Sequence, residues 1–261
     1  MRIFFAFDKF KDSLSASRAC EIARSVFQNH LPEHSLDTAP LTDGGEGFCE
    51  ILTNATNGRF EESEVRGPRG EWTKIRLGFV QAEALSLGVR EAGDLPSQGV
   101  IALIEMAAAA GLSLLSQEDR DPWETSTHGV GDMIARAVAE SVDVILLGIG
   151  GSATNDLGFG ALQALGLHFL NQDGDILERV RPSSWPHLSR IEGDMPNLPP
   201  IRIACDVDNP LLGDFGATMI YGAQKGVSSQ DLDRMEEELA RAARLLLDVR
   251  GMDQTILEEP G

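Results

Sequence analysis

Residues 143–156, D-V-I-L-L-G-I-G-G-S-A-T-N-D, constrain this chain more than any other stretch. An apolar run passes straight into a glycine-rich loop, which closes on Thr154, Asn155 and Asp156 ahead of a helical pattern. Near-continuous apolar strands mark a parallel sheet covered on both faces. Glycines let the backbone approach an anion, and a following helix aims its free N–H groups at that anion. The stretch predicts an α/β phosphate-handling enzyme with a carboxylate beside the phosphate.

The rest of the chain repeats the strand–helix alternation. Runs rich in β-branched and aromatic residues predict strands at 2–7, 74–80, 100–105, 142–149 and 201–207. Apolar residues at 3–4 spacing predict helices at 15–30 and 129–140. Ser228 and Asp231 resemble a capping box at the start of a last, long helix, whose stripe Leu232, Met235, Leu239, Ala242 and Leu246 is read as core. Segments 31–43, 84–99 and 181–200 are read as irregular, the last because it holds five prolines. After the long helix, residues 251–261 show no closing strand or helix, so the functional unit is expected to be longer than this chain.

Charge and cysteine usage exclude several classes. A net charge of −19 argues against a nucleic-acid or anionic-membrane partner, whose phosphates need clustered Lys and Arg. Cys20, Cys49 and Cys205 form no C-x-x-C pair, and the five histidines show no zinc-ligand spacing. This usage fits a reducing cytosol, and a cytoplasmic location is expected. No apolar run reaches the ~20 residues of a membrane span. Only four of 22 basic residues are lysine, so Lys9, Lys11, Lys74 and Lys225 stand out as candidates for a specific task. Lysine offers a compact, flexible charge suited to a moving phosphoryl group; surface lysine is the competing reading.

Five motifs carry candidate chemistry. Residues 148–153, G-I-G-G-S-A, loosely match the dinucleotide fingerprint, with Asp173 or Asp175 about 20 positions on. However, N-Q-D-G-D at 171–175 reads as a hairpin turn, and a tight turn without ligand is a further alternative. Thr154, Asn155 and Asp156 tilt the reading toward phosphate and a hydrated magnesium. Residues 8–15, D-K-F-K-D-S-L-S, place Asp8 at the end of the first strand, then gather Lys9, Lys11 and Ser13 where a small carboxylate would be held. Plain helix capping by Asp12, Ser13 or Ser15 is the alternative. Residues 41–47, L-T-D-G-G-E-G, set Asp43 and Glu46 among three glycines, more than a simple turn needs. Asp206 and Asp208 flank a strand end, where alternate residues would face one cation; a turn rich in Asp and Asn explains them equally. Lys225, between Gln224 and Gly226, reaches either a nucleotide phosphate or solvent. Residues 125–131, T-S-T-H-G-V-G, offer another anion site at a helix start, with His128 as an acid or base. P-loop and protein-kinase signatures are absent.

In this order, the segments resemble the bacterial glycerate kinase family, which phosphorylates D-glycerate with ATP. The resemblance rests on D-K-F-K-D-S-L-S-A at 8–16, D-G-G-E-G at 43–47, V-R-G-P-R-G at 65–70 and I-E-M-A-A-A-A-G-L at 104–112. It continues through G-I-G-G-S-A-T-N-D at 148–156, A-L-Q-A-L-G at 161–166, A-C-D-V-D-N-P-L at 204–211 and Q-K-G at 224–226. Phe7, Lys9, Thr42 and Leu157 depart from the usual pattern. The resemblance implies two α/β domains. The first is Rossmann-like and discontinuous, formed by 1–75, with 259–261 beginning the return to it and its C-terminal part missing. The second is an inserted α/β domain at 76–258.

The expected activity is transfer of the ATP γ-phosphoryl group to a hydroxyl of D-glycerate, giving 2-phosphoglycerate, with Mg2+ and with a homodimer as a candidate assembly. Gly148, Gly150, Gly151 and Ser152 are assigned to the phosphate cradle, with Asn155 and Lys225 also on ATP. Asp206 and Asp208 are assigned to magnesium, and Asp156 to the catalytic base with Asp8 as competitor and Lys11 assisting. Lys9 and Ser13 are assigned to the glycerate carboxylate, and Asp43 and Glu46 to its hydroxyls. The rival readings are an NAD-dependent oxidoreductase and an inactive fragment that binds a small acid.

Overall fold

A computed structural model of the chain describes residues 1–10 and 13–259. Its elements run β1 (Arg2–Phe5), α1 (Ala16–His30), β2 (Ser35–Thr38), α2 (Phe48–Ala55), β3 (Arg59–Arg66), β4 (Trp72–Gln81), α3 (Leu87–Ala92) and β5 (Val100–Glu105). They continue with α4 (Ala107–Ala110), α5 (His128–Ala139), β6 (Val144–Gly148), α6 (Phe159–Ala164), β7 (His168–Leu170), β8 (Arg190–Glu192), β9 (Ile201–Ala204), α7 (Ala217–Lys225) and α8 (Leu232–Arg250).

The central sheet has the order β3-β4-β5-β6-β9. β5, β6 and β9 run parallel, while β3 and β4 extend the sheet as an antiparallel pair. Both faces are covered, as the apolar runs predict. In β4 and β5, Ile75, Leu77, Phe79, Ala102 and Ile104 join Val130, Met133 and Ala137 of α5 in one core. The alternate residues Val80, Ile101 and Leu103 join Cys49 of α2 in another. Successive strand side chains point to opposite faces, so one strand feeds two cores. Gly78 lets α2 lie flat on the second face: a Cβ there would sit 2.0 Å from Thr53 Oγ1.

β1 and β2 form a separate parallel pair, with Phe5, Cys20 and Leu36 buried under α1. A further core joins Phe159, Phe169, Trp185 and Ile191 to Leu239 and Ala242 of α8, so the α8 stripe is indeed buried. The Asn171–Asp175 segment is the expected turn, with Asn171 N donating to Asp175 O at 2.9 Å.

Several boundaries differ from the sequence reading. Residue 75 falls inside β4, where Ile75 pairs with Ser63, so the five-stranded sheet already begins at Arg59. β3, R-F-E-E-S-E-V-R, escapes the strand pattern because it is an edge strand dominated by charge. β2 lies within the segment read as irregular. β9 ends at Ala204, three residues short of the prediction. The last helix starts at Leu232, and Ser228 Oγ bonds the Asp231 carboxylate at 2.6 Å instead of capping a turn. Pro260 and Gly261 lie outside the described residues.

Candidate active site

The C-terminal ends of β6 and β9 open into a cleft of about 660 Å³. Ligands of open α/β sheets sit at this end of the strands, where chain turns and helix starts gather. The N-terminal segment supplies Lys9, Asp43 and Glu46 to it, the β6 loop Ile149–Ser152, the β9 loop Asp206 and Asn209, and α7 Tyr221 and Lys225.

Backbone-to-backbone packing brings these pieces together. Gly44 (φ +87°) presses against the end of β9, where a Cβ would lie 2.5 Å from the Ala204 carbonyl oxygen. A Cβ on Gly148 would meet the Gly44 oxygen at 2.4 Å, and one on Gly150 would lie 2.8 Å from Gly45 Cα. Gly150 N donates to Gly44 O at 3.1 Å. Thus the glycines of the two motifs face each other. The Cβ space of Gly148 and Gly150 is taken by the 43–47 loop, so both glycines are explained by backbone packing without a dinucleotide. Gly148 does not line the cleft, whereas Gly150, Gly151 and Ser152 do, and a Cβ on Gly151 would meet nothing nearer than 3.5 Å.

At one end of the cleft, Lys9 Nζ donates to both Asp43 carboxylate oxygens at 2.7 Å. Burial pulls the Lys9 ammonium down, but the bond and charge of Asp43 outweigh it and its pKa lies above 10.5. Burial pushes the Asp43 carboxyl up, yet Lys9 and the Gly45 N–H at 2.9 Å hold it below 3.8. Glu46 lines the cleft beside the pair. Asp8 and Ser13 are exposed and do not line it; Asp8 accepts its neighbour's backbone N–H at 2.6 Å. Ser15, not Ser13, caps α1, accepting from Arg18 N at 3.3 Å. Lys11 lies outside the described residues.

At the other end, Lys225 Nζ donates to Ser152 Oγ at 3.0 Å and to the Thr154 carbonyl at 2.6 Å. Burial pushes its pKa down to about 8, against the pull of the Asp156 charge. Its hydrogen-bond acceptors are neutral oxygens, and among the described residues it forms no ion pair. Asn155 does not line the cleft; its amide donates to Thr218 Oγ1 at 3.1 Å and ties the loop to α7.

The structure places Asp156 away from this cleft, contrary to its assignment as the base. It is buried, with 1% exposure, and absent from the cleft wall. Its Oδ2 accepts from Thr127 N at 2.7 Å, Thr127 Oγ1 at 2.8 Å and Gly160 N at 3.2 Å, and its Oδ1 accepts from Gly158 N at 3.3 Å. The carboxylate joins the starts of α5 and α6, whose free N–H groups favour an anion. Burial pushes its carboxyl up against those bonds. The T-S-T-H segment is thus an anion site filled by the chain's own carboxylate. His128 lies 3.5 Å from Asp132 and outside the cleft wall.

The acidic pair also separates. Because β9 stops at Ala204, strand alternation does not extend to Asp206 and Asp208; Asp206 lines the cleft and Asp208 does not. Among the described residues, no three His, Cys, Asp or Glu side chains form a metal site. A magnesium here would take one carboxylate from Asp206 and its remaining oxygens from water and phosphate, as this ion commonly does.

Two further residues were not singled out by the sequence reading. Glu105, at the end of β5, accepts from Gly47 N at 3.1 Å and Cys49 N at 3.2 Å and so caps α2. Arg120 lines the cleft near Lys225. Glu105 lies within the 104–112 segment that carries the family resemblance but outside the cleft wall, whereas Arg120 sits in an unremarkable local sequence and only the fold brings it to the cleft.

Comparison with known proteins shows the family. The chain matches a family model described as the glycerate kinase family over residues 3–261. It is 35% identical over 257 residues to a glycerate kinase of Halalkalibacterium halodurans, covering 96% of this chain and 63% of that protein. It is 37% identical over 250 residues to a glycerate kinase of Bacillus subtilis, covering 93% and 60%. It is 36% identical over 267 residues to the glycerate 2-kinase of Escherichia coli, covering 100% and 65%. This chain therefore spans less than two thirds of the length of these relatives. A crystal structure of a protein assigned as glycerate kinase 2 from Salmonella typhimurium superposes with a TM-score of 0.75 at 36% identity, covering 100% of this chain and 66% of that one. The chain belongs to the glycerate kinase family.

Proposed function

We propose that the cleft between the 43–47 loop, the β6 loop and α7 transfers the γ-phosphoryl group of ATP to the 2-hydroxyl of D-glycerate. Family membership supports the reaction class, and the Escherichia coli relative named glycerate 2-kinase supports the position. The observation that carries the reading is the pair of lysines in one cleft: Lys9, bonded to Asp43, and Lys225, which has no ion-pair partner among the described residues and donates to Ser152 Oγ and the Thr154 carbonyl.

Phosphoryl transfer is mostly positioning and charge neutralisation. The hydroxyl oxygen bonds the γ-phosphorus, the bond from that phosphorus to the β–γ bridging oxygen breaks, and the hydroxyl proton leaves to a carboxylate. Among the described residues, Asp43, Glu46 and Asp206 line the cleft, and Asp8 lies 4.0 Å from Lys9 Nζ; one of these carboxylates takes the proton in this reading. In this reading Lys9 takes the glycerate carboxylate, Asp43 and Glu46 take its hydroxyls, and Lys225 with Ser152 takes the nucleotide phosphates; all five line the cleft. Magnesium, held by Asp206, would supply neutralisation of phosphate charge.

The test is ADP release by the chain with ATP, Mg2+ and D-glycerate, against the same mixture without glycerate. Glycerate-dependent release is expected. ATP binding with no such release would overturn the reading.

A further inference from the structure

Arg120 has no part in the roles above, yet it stands in the cleft wall with Lys225. Two contacts fix its place. Just before it, Asp119 accepts from Ser116 Oγ at 2.6 Å and from Arg69 Nη1 at 3.1 Å. On its other side, Gly226 ends α7 with φ +109°, and a Cβ there would lie 2.0 Å from the Arg120 carbonyl oxygen. Only glycine permits that approach. The helix end carrying Lys225 is therefore packed directly on the backbone of Arg120.

The fold leaves both charges unspent. Among the described residues, neither side chain forms an ion pair. Arg120 Nε is buried and has no acceptor. Buried charged donors are normally satisfied, so an orphan at a cleft wall points to an acceptor that arrives with a ligand. Two cations without ion-pair partners in one cleft wall are also unexpected in a chain of net charge −19. A planar guanidinium fork beside a compact ammonium suits the oxygens of a phosphate chain. Gly151, with open space at its Cβ position, leaves room next to them.

We propose that Arg120 and Lys225 form one oxyanion subsite, and that Arg120 is a second residue binding the phosphate chain of the nucleotide. The ligand's identity rests on the kinase reading above; the anion subsite rests on the two cations.

Inorganic pyrophosphate is the probe, titrated calorimetrically into the intact chain, with D-glycerate as a second titrant. Wild type is expected to bind pyrophosphate. Arg120→Gln should weaken that binding at least tenfold, and Arg120→Lys, which keeps the charge but loses the fork, should fall between them. Arg24→Gln, an exposed change on α1, serves as the charge control and should bind as wild type. Thermal melts show that each variant is folded; should Arg120→Gln unfold, Arg120→Lys decides, with weakened but retained binding supporting the subsite and unchanged binding overturning it. Absence of pyrophosphate binding in wild type, or unchanged binding in folded Arg120→Gln, would overturn the proposal. So would weaker glycerate binding with pyrophosphate binding intact, because the subsite would then serve a carboxylate. Pyrophosphate binding that depends on Arg120, in a chain that releases no glycerate-dependent ADP, would uphold the subsite and remove the kinase reading.

Discussion

Replacing Asp156 with asparagine separates a structural carboxylate from a catalytic one. In the fold, four donors converge on this buried group, three on Oδ2 and one on Oδ1. Asparagine keeps the shape but exchanges one oxygen for an NH2. Its best orientation leaves the amide oxygen with the Thr127 and Gly160 donors and turns the NH2 toward Gly158 N, setting donor against donor. The remaining bonds lose their charge assistance, and the helix starts lose their anion. A bond to a charged group is worth about 1.5–3 kcal/mol, and an unsatisfied buried donor costs about 1–3 kcal/mol. One bond lost and the rest weakened gives a destabilisation of roughly 2–4 kcal/mol. Urea unfolding followed by circular dichroism measures it as a lower midpoint with an unchanged slope. Turnover, assayed where the variant is still folded, should fall by no more than about tenfold, well short of the ~10²–10⁴-fold contribution of a general base. A variant as stable as wild type whose turnover drops a thousandfold would refute this reasoning.

Three other outcomes follow from the same geometry. Because the Lys225 pKa is pushed down to about 8, an arriving phosphate should raise it and draw in a proton; calorimetry of ADP binding near pH 8 in buffers of different ionisation enthalpy should show proton uptake in wild type and much less in Lys225→Met. Gly44→Ala sets a Cβ at φ +87° and 2.5 Å from the Ala204 oxygen, and a loss of about 2–3 kcal/mol is expected from strain and overpacking, read from the thermal midpoint. The Asp43 carboxyl is held below 3.8 by Lys9, so the pair's contribution is present above that pH and lost as pH falls through the folded value. Lys9→Met should therefore move acid unfolding to higher pH, and an unmoved midpoint would show the pair to be inert.

The Salmonella structure covers the whole of this chain with a TM-score of 0.75, so the arrangement of β6, β9 and α7 around the cleft can be compared between the two at 36% identity. The feature to compare is the contact between Gly44, Gly148 and Gly150, which sets the distance between the N-terminal segment and the sheet. Three glycines there permit an approach of backbones that any side chain would block.

What the sequence determined by itself was whatever local pattern and composition control. The apolar runs of β5 and β6 and the stripes of α5 and α8 were legible because burial imposes a period on side chains, whereas α1 forms as a helix but leaves Ile22, Val26 and Phe27 of its apolar stripe exposed. The glycine motifs were legible as sites of close approach, and Lys9, Asp43, Glu46, Gly151, Ser152, Asp206 and Lys225 as cleft residues. Tertiary structure alone decided what the glycines approach, since Gly44 meets Ala204 and Gly148 meets Gly44, partners far apart in the chain. It also decided the fate of each charge. Asp156 and Asp206 are both carboxylates in loops that follow strands, but one meets four N–H and O–H donors in the interior and the other meets the cleft. Arg120 has no motif at all, and it stands in the cleft wall where the end of α7 packs on its backbone. An ionisable group's role depends on its solvation and its partners, and those are set by residues distant in sequence.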